Sequence, residues 1–423
     1  MTEHFGVPTR AGLLERVREE FAFIKGNYAV LVVSWLIMDF AMEVPATYYA
    51  LYVMGLGASE TVVGLIGLCY SLALASMQFP GGYIADRFGR KQIICTMTFG
   101  VALSYSLFAL APSWHFILLG SVLVAIFNST YQPALTAMIA DSLPPEKRGM
   151  GFSIVTLIST ASTTPGPIVA ALLCGAFGLM PGMRIAYAMV VSLFLVAAVL
   201  RALYLKETLE AHEKLDVVEL LRSYPVALRE SIATFKKLSR SLTFLVLVAA
   251  MSAFGFYAIH PFLPVYAIRE LSVGEVLWGL ILTTIPITTV VFSMPAGKLI
   301  DKVGRKKPLL IAIAFFALSA YLFVLGGLPL LVSSLALMGA GSVMSQASFS
   351  SLMADLTPMD YRGKVNAFFN FAASTAVAFG SLAGGFLYEH VSPRSPFYLS
   401  MLLGVASLVV ITLFVEEPKA RER

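Results

Sequence analysis

Gly81–Lys91 reads GGYIADRFGRK, a short, charged, glycine-rich stretch set between two long apolar runs. It returns later in the chain as Ala296–Lys306, AGKLIDKVGRK. Gly82, Asp86, Gly89, Arg90 and Lys91 recur as Gly297, Asp301, Gly304, Arg305 and Lys306. Self-similarity at a fixed offset is the first thing to seek in a sequence, because it sets the architecture. Here it divides the chain into two related halves.

The runs around these stretches decide the class. Of 423 residues, 58% are hydrophobic and 13% are charged, with mean hydropathy +0.81. A water-soluble fold of this length needs far more charge to cover its surface. Twelve apolar segments of roughly 20 residues carry the signature of membrane-spanning helices. Six lie in the first half: Tyr28–Met54, Thr61–Ala85, Gln92–Ala111, Trp114–Ala140, Gly151–Gly175 and Ile185–Tyr204. Six lie in the second: Leu242–Ile268, Val276–Ile300, Leu309–Gly327, Leu330–Ala354, Val365–Tyr388 and Phe397–Val415.

The segments outside the spans are charged. Arg10–Lys25 places Leu13, Val17, Phe21 and Ile24 on one helical face, so it reads as a helix lying on the membrane surface within a cytoplasmic N-terminal amphipathic segment, residues 1–26. Residues 206–240 read as a cytoplasmic linker with one internal proline, Pro225, between six-helix bundles at 27–205 and 241–416. Residues 417–423 form a tail. With the N-terminus inside, the outer loops hold only Arg184, Arg269 and Arg394. The other basic residues fall on the inner side or, like Arg201, near the inner end of a span, so both termini are expected in the cytoplasm. No span centre carries Lys or Arg.

Several function classes drop out. The net charge of +5 is dispersed over alternate loops rather than gathered on a face, so nucleic acid is not an expected partner. Cys69, Cys95 and Cys174 lie inside apolar runs, too scattered for a disulfide framework or a metal cage. No phosphate-binding glycine loop ending in Lys-Ser or Lys-Thr is present. No nucleophile–base spacing marks an enzyme.

The repeat continues beyond the opening stretch. Asp141, Pro144, Glu146, Arg148 and Gly149 after span four return as Asp355, Pro358, Asp360, Arg362 and Gly363 after span ten. Glu60 and Gly64 return as Glu275 and Gly279. The offset holds at about 214–215 residues, which makes the halves parallel repeats of six spans.

Together these features resemble the major facilitator superfamily over roughly Tyr28–Val415. Gly82, Asp86, Arg87, Gly89, Arg90 and Lys91 match the family's signature loop. The resemblance implies an all-helical membrane protein of two pseudo-symmetric six-helix bundles, monomeric, with a central cavity opened alternately to each side. It also implies that Asp86 meets the start of span eleven near Gly363. By the repeat, Asp301 meets the start of span five near Gly149. With Gly304, Arg305, Arg148 and Arg362 these residues form the expected gating set. Arg90, Lys91, Arg305 and Lys306 also fit a plainer role as anchors for lipid headgroups. Within the family the chain resembles the twelve-span, proton-coupled drug and metabolite branch, but its antiporter motifs are degenerate. Ser121 stands where drug exporters carry a span-four arginine. Gly166-Pro167 is present in span five, with Ala170-Ala171 and Ser162 at expected glycine positions.

The candidate transport chemistry centres on Asp39 and Glu43, four residues apart on one face of span one. Asp39 lies roughly 16 Å in from Tyr28 at about 1.5 Å per residue. A carboxylate at that depth costs at least about 2.5–3.5 kcal/mol, so it is expected to face a cavity and to bind a cation or a proton. Two stacked carboxylates repel, which favours holding one protonated. In span seven, His260 precedes Pro261 and offers a titratable or donating group. Tyr70, Gln78, Asn128, Gln132, Gln346, Asn366 and Asn370 are further polar candidates, or simply glue between helices. Trp35, Tyr48, Tyr49, Tyr52, Phe254, Phe256 and Tyr257 make spans one and seven aromatic, which suits an apolar or cationic organic substrate. The expectation is proton-coupled export of amphiphilic or cationic molecules across the cell membrane, with no cofactor and the proton gradient as the energy source. Metabolite uptake or uncoupled facilitation is the alternative.

Overall fold

Inside a bilayer every backbone N–H and C=O needs an internal partner, and an apolar segment of about 20 residues meets that need as a helix. The computed structural model describes residues 21, 23–87, 89–209, 229 and 239–417. At 78–83, 85–87, 160, 301, 360 and 364 only the backbone is described. The expected surface helix before span one and most of the 206–240 linker lie outside the described residues.

All the described elements are helical. Among the described residues, twelve helices are long and apolar enough to cross a membrane. They are α1 (Gly26–Ala46), α2 (Glu60–Met77), α3 (Arg90–Ala109), α4 (Trp114–Asp141), α5 (Pro145–Phe177), α6 (Leu179–Tyr204), α7 (Arg240–Glu270), α8 (Glu275–Ile300), α9 (Lys306–Leu325), α10 (Leu328–Leu356), α11 (Val365–His390) and α12 (Ser395–Phe414). Beyond its span, α2 stays helical to Arg87. An even number of crossings puts residue 26 and residue 414 at one end of the molecule, the terminal end. The opposite, far end carries the start of α2 and the close of α11.

Proline explains where the helices break. Pro45 lies in the last turn of α1, which stops at Ala46 and resumes as a short helix, Tyr49–Gly55. The single span expected over Tyr28–Met54 is therefore two helices. In α5, Arg148–Thr163 gives way to Gly166–Phe177 at Pro165 and Pro167, because proline lacks an N–H and clashes with the preceding turn. In α7 the regular helix ends at Ile259, and a tighter turn at His260–Phe262 and a wider one at Tyr266–Glu270 follow Pro261 and Pro264.

The first half is packed around rings. Tyr52, Tyr105, Phe108 and Tyr187 lie with centroids 5.0–6.2 Å apart, and the Tyr52 hydroxyl donates to the Phe108 carbonyl at 2.7 Å. The second half has its own set in Tyr266, Trp278, Phe323 and Phe397. Leu103, Leu172, Leu402 and Leu413 are exposed, as helices facing lipid tails require. Glycine and small residues allow the closest crossings between halves. A side chain at Gly64 of α2 would overlap the Ser381 carbonyl of α11, and one at Gly385 the Glu60 carbonyl.

Candidate transport cavity and gating loops

The duplicated loops share one local design. Gly89 and Gly304 have φ of 91° and 88°, the left-handed region that a side chain strains. That turn delivers the chain into α3 and α9. The first N–H groups of α3 are capped from the end of α6: Glu207 accepts from the backbone of Arg90 and of Lys91, each at 3.0 Å. Glu417, just past α12, accepts from the Arg305 backbone at 2.5 Å. An anion at a helix N-terminus is favoured by the unpaired donors and the dipole. Glu207 is partly desolvated, which alone would raise its pKa. The N–H groups of Leu209, Thr208, Lys91 and Arg90 outweigh this and hold it below the ordinary value.

The arginines repeat as well. Arg90 pairs with Asp141 at the end of α4. Arg305 pairs with Asp355 at the end of α10 at 3.3 Å. These contacts occupy two of the four residues that also fit lipid anchoring. Lys306 donates to the Thr412 carbonyl at 3.1 Å. Arg148 donates to the Ala140 carbonyl at 3.0 Å, and Arg362 to the Ala354 carbonyl at 3.1 Å, so each closes the open C-terminus of the preceding helix. The side chains of Asp86, Arg87, Asp301 and Gln78 lie outside the described residues, and Gly82 is placed only as helical backbone. At Gly149, Gly297 and Gly363 no described atom beyond the glycine's own local backbone lies within 4 Å of where a side chain would begin.

Between the halves runs a chain of connected chambers. The first, about 310 Å³, lies toward the far end and is walled by Tyr49, Tyr70, Tyr105, Tyr187, Trp278 and aliphatic neighbours. The second, about 350 Å³, shares Tyr70, His260 and Ser381 with it and adds Tyr257 and Asn370. The third, about 720 Å³, shares Asn370 and descends past Gln132 and Asn366 to Gly363 at the terminal end. The far end is sealed. Tyr48, between α1 and the short helix Tyr49–Gly55, donates to the Glu275 carbonyl at 2.6 Å, Thr61 donates its N–H to Glu389 at 2.9 Å, and Arg269 pairs with Glu60 at 3.2 Å. The cavity is thus closed at the far end and widens toward the termini.

The carboxylates expected to face this cavity do not line these chambers. On α1 it is Met42, Pro45 and Ala46 that reach the first chamber. Asp39 and Glu43 occupy the other face, toward α5, because α5 passes close enough for its Gly166 to abut Glu43. The Ser159 hydroxyl of α5 donates to Asp39, and the Trp35 indole lies beside that carboxylate. No described residue hydrogen-bonds Glu43. His260, Tyr257, Tyr70, Gln132, Asn366 and Asn370 do line the chambers. Asn128 sits beside the Tyr70 phenol. Gln346 is exposed and lies apart from these walls.

Arg201 is the clearest departure from the sequence reading. It is 1% exposed, so a residue placed near the inner end of a span is in fact a buried cation. It donates to Ser34 of α1 at 2.9 Å and to Thr98 of α3 at 2.8 Å. Its guanidinium lies 5.7 Å from the Tyr131 ring centroid. Its charge reaches Asp39, with no carboxylate in direct contact. Glu207, Glu417 and Arg201 were all missed in the sequence. Glu207 and Glu417 follow spans six and twelve at matching places, a signal of the same kind as the loops.

A membrane bundle whose two halves enclose a cavity open at one end and latched at the other has the architecture of a solute transporter. The chain belongs to the Major Facilitator Superfamily, whose model matches residues 30–273 and 245–423. It is a multi-pass membrane transporter of small molecules, not an enzyme. It is 27% identical over 385 residues to a Lactococcus lactis protein named multi-drug resistance efflux pump PmrA homolog, covering 89% of each chain. Over 166 residues, 39% of this chain and 42% of the other, it is 27% identical to the Staphylococcus aureus quinolone resistance protein NorA. Among solved structures, a mutant of the nucleoside transporter NupG superposes with a TM-score of 0.72 at 15% identity, covering 90% of this chain and 98% of that one. That likeness concerns the fold.

Proposed function

We propose that this transporter exports amphiphilic or cationic organic molecules in exchange for protons. The observation that carries the reading is the separation of two sites. An aromatic chamber without Asp, Glu, Lys or Arg in its wall offers stacking and cation–π surface. The Asp39–Glu43 pair sits behind α1, where a bound proton changes how α1 meets α5 without touching the substrate. The names of the relatives, efflux pumps and a quinolone resistance protein, point the same way.

In this reading the terminal end faces the cytoplasm of the cell membrane, because the basic loops lie there. The halves at 27–205 and 241–416 rock about the cavity as one monomer, without a cofactor. The duplicated loops latch the terminal end once the far end opens. Purified protein in liposomes tests this: an imposed pH gradient drives a cationic dye against its own gradient. Dye counterflow that ignores the pH gradient excludes proton exchange.

A further inference from the structure

We propose that a separate cavity inside the second half, between α7, α9, α10 and α12, is a modulator site for a compact, uncharged hydrocarbon, and that its occupant acts on the transport cavity through Phe256. The inference does not depend on what is transported or in which direction.

The cavity holds about 210 Å³ and shares no wall residue with the three chambers. The repeat accounts for its presence. At the offset that relates Arg90 to Arg305, Tyr105 of α3 corresponds to Ala320 of α9. In the first half the Tyr105 ring fills the space against α6, with centroids 6.2 Å from Tyr187 and 5.7 Å from Phe194. Ala320 brings no ring toward α12, and the cavity wall begins at its neighbour Ser319. The second half thus keeps as a cavity a space that the first half packs with an aromatic side chain.

The wall fixes the chemistry. Met251, Phe256, Ile259, Ile313, Phe316 and Met338 present thioethers, rings and aliphatic carbon, and no wall residue carries a charge. The Ser319 hydroxyl is engaged with Ser334 at 2.9 Å. Ser252 and Ser400 are the polar side chains left, too few to hold the waters such a volume would take. No wall residue is classed as exposed, whereas Leu318 and Leu402 on the outer faces of α9 and α12 are 46% and 66% exposed. Those faces stand between the cavity and the lipid tails, so the occupant is a free molecule rather than a lipid chain. A dry apolar cavity of about 150 Å³ takes benzene, so one of about 210 Å³ takes roughly eight or nine carbons. The cavity also reaches the transport path. Phe256 and Phe316 line it with ring centroids 6.1 Å apart, and the Phe256 ring lies 5.0 Å from that of His260, which walls the first and second chambers. The regular helix of α7 ends at Ile259, also in the cavity wall. An occupant therefore presses on α7 where its helix changes form, with the transport chambers on the other side.

The probes are indane and 2-aminoindane, which share one skeleton of this size and differ by a full charge at neutral pH. Thermal unfolding of the full chain in lipid nanodiscs is followed against probe concentration for the wild type, Ser252→Leu and Ala317→Leu. With indane the wild type gains about 1–3 °C, and the gain saturates. With 2-aminoindane the same gain needs at least about tenfold more probe, because the wall offers a charge no partner. Each substitution puts a leucine into the cavity and removes the saturable gain, and either carries the test if the other does not fold. Partition into lipid is common to all three proteins and does not saturate. The ring resonance of His260, assigned by its loss in His260→Gln, moves with indane in the wild type and stays fixed in the leucine variants. A gain that persists in a folded leucine variant, as binding in the first chamber would give, overturns the site. So does an equal gain from both probes, or no saturable gain at all. A saturable gain that leaves the His260 resonance in place overturns the coupling through Phe256.

Discussion

Gly64→Ala is the sharpest probe of the far-end seal. The added methyl would overlap the Ser381 carbonyl oxygen and stand 3.0 Å from Leu382 Cα and 3.2 Å from the Ser381 carbonyl carbon. All three are backbone atoms of α11, so no side chain can swing aside. Comfortable carbon contacts lie near 3.5–4.0 Å, so α2 and α11 must part by roughly 1 Å here. Overpacking of this order costs about 1–3 kcal/mol. The cost falls on the conformation closed at the far end and is relieved when that end opens. At about 1.4 kcal/mol per factor of ten, the population shifts about 5- to 150-fold toward the far-end-open form. Spin labels placed across the far end, read by pulsed dipolar spectroscopy, report the two populations. Wild type gives mainly the short distance, and Gly64→Ala adds or favours a longer one. A properly folded Gly64→Ala protein with the wild-type distance distribution would refute the tight α2–α11 crossing as the seal.

Other substitutions probe the rest of the account. Arg201→Met leaves Ser34, Thr98 and the field on Asp39 without their cation, and lowers stability by about 1–3 kcal/mol in thermal unfolding. Adding Asp39→Asn recovers part of that loss if the two charges are coupled, and a double-mutant cycle measures how much. The lowered pKa of Glu207 means that its cap on α3 contributes fully above the ordinary value of 4.5 and is lost as pH falls through the folded value. Wild type is therefore more stable than Glu207→Gln near neutrality, and the two melting curves converge in acid. Asp86→Asn slows or biases transport while substrate affinity stays within a few-fold, as binding and flux assays on one preparation will show.

The fold was legible because its signals are duplicated. Long apolar runs declare spans through length alone, and the repeat of Gly89-Arg90-Lys91 at Gly304-Arg305-Lys306 declares two halves. The positive φ at both glycines is the conformation that residue type permits. Span ends were less legible where proline acts within a run: hydropathy continues across Pro45, but the helix does not.

The site was read less well, for a physical reason. A residue's depth along a span follows from counting, but the face it presents depends on the neighbouring helix. Asp39 and Glu43 share a face as their spacing requires. That face meets α5 rather than the cavity, because Gly166 lets α5 approach Glu43 closely. Arg201 counts in the sequence only as a basic residue near the inner end of a span, three residues from the close of α6 at Tyr204. Only the packing of α1, α3 and α4 around it reveals a buried cation. His260 stands in the cavity wall where Pro261 breaks the regular helix of α7, a local signal the sequence does carry, and Tyr257 lines the cavity from the last regular turn before it.

The separation of proton site and substrate site is tested most directly by proton release. Purified transporter in weakly buffered detergent is mixed with saturating fluorescent cationic dye, and the pH change is recorded beside dye binding for wild type, Asp39→Asn and Glu43→Gln. The account predicts release from the wild type, loss of release in at least one variant, and dye affinity within a few-fold of wild type in both. Dye binding that disappears together with the carboxylates, or release that persists in both variants, would contradict it.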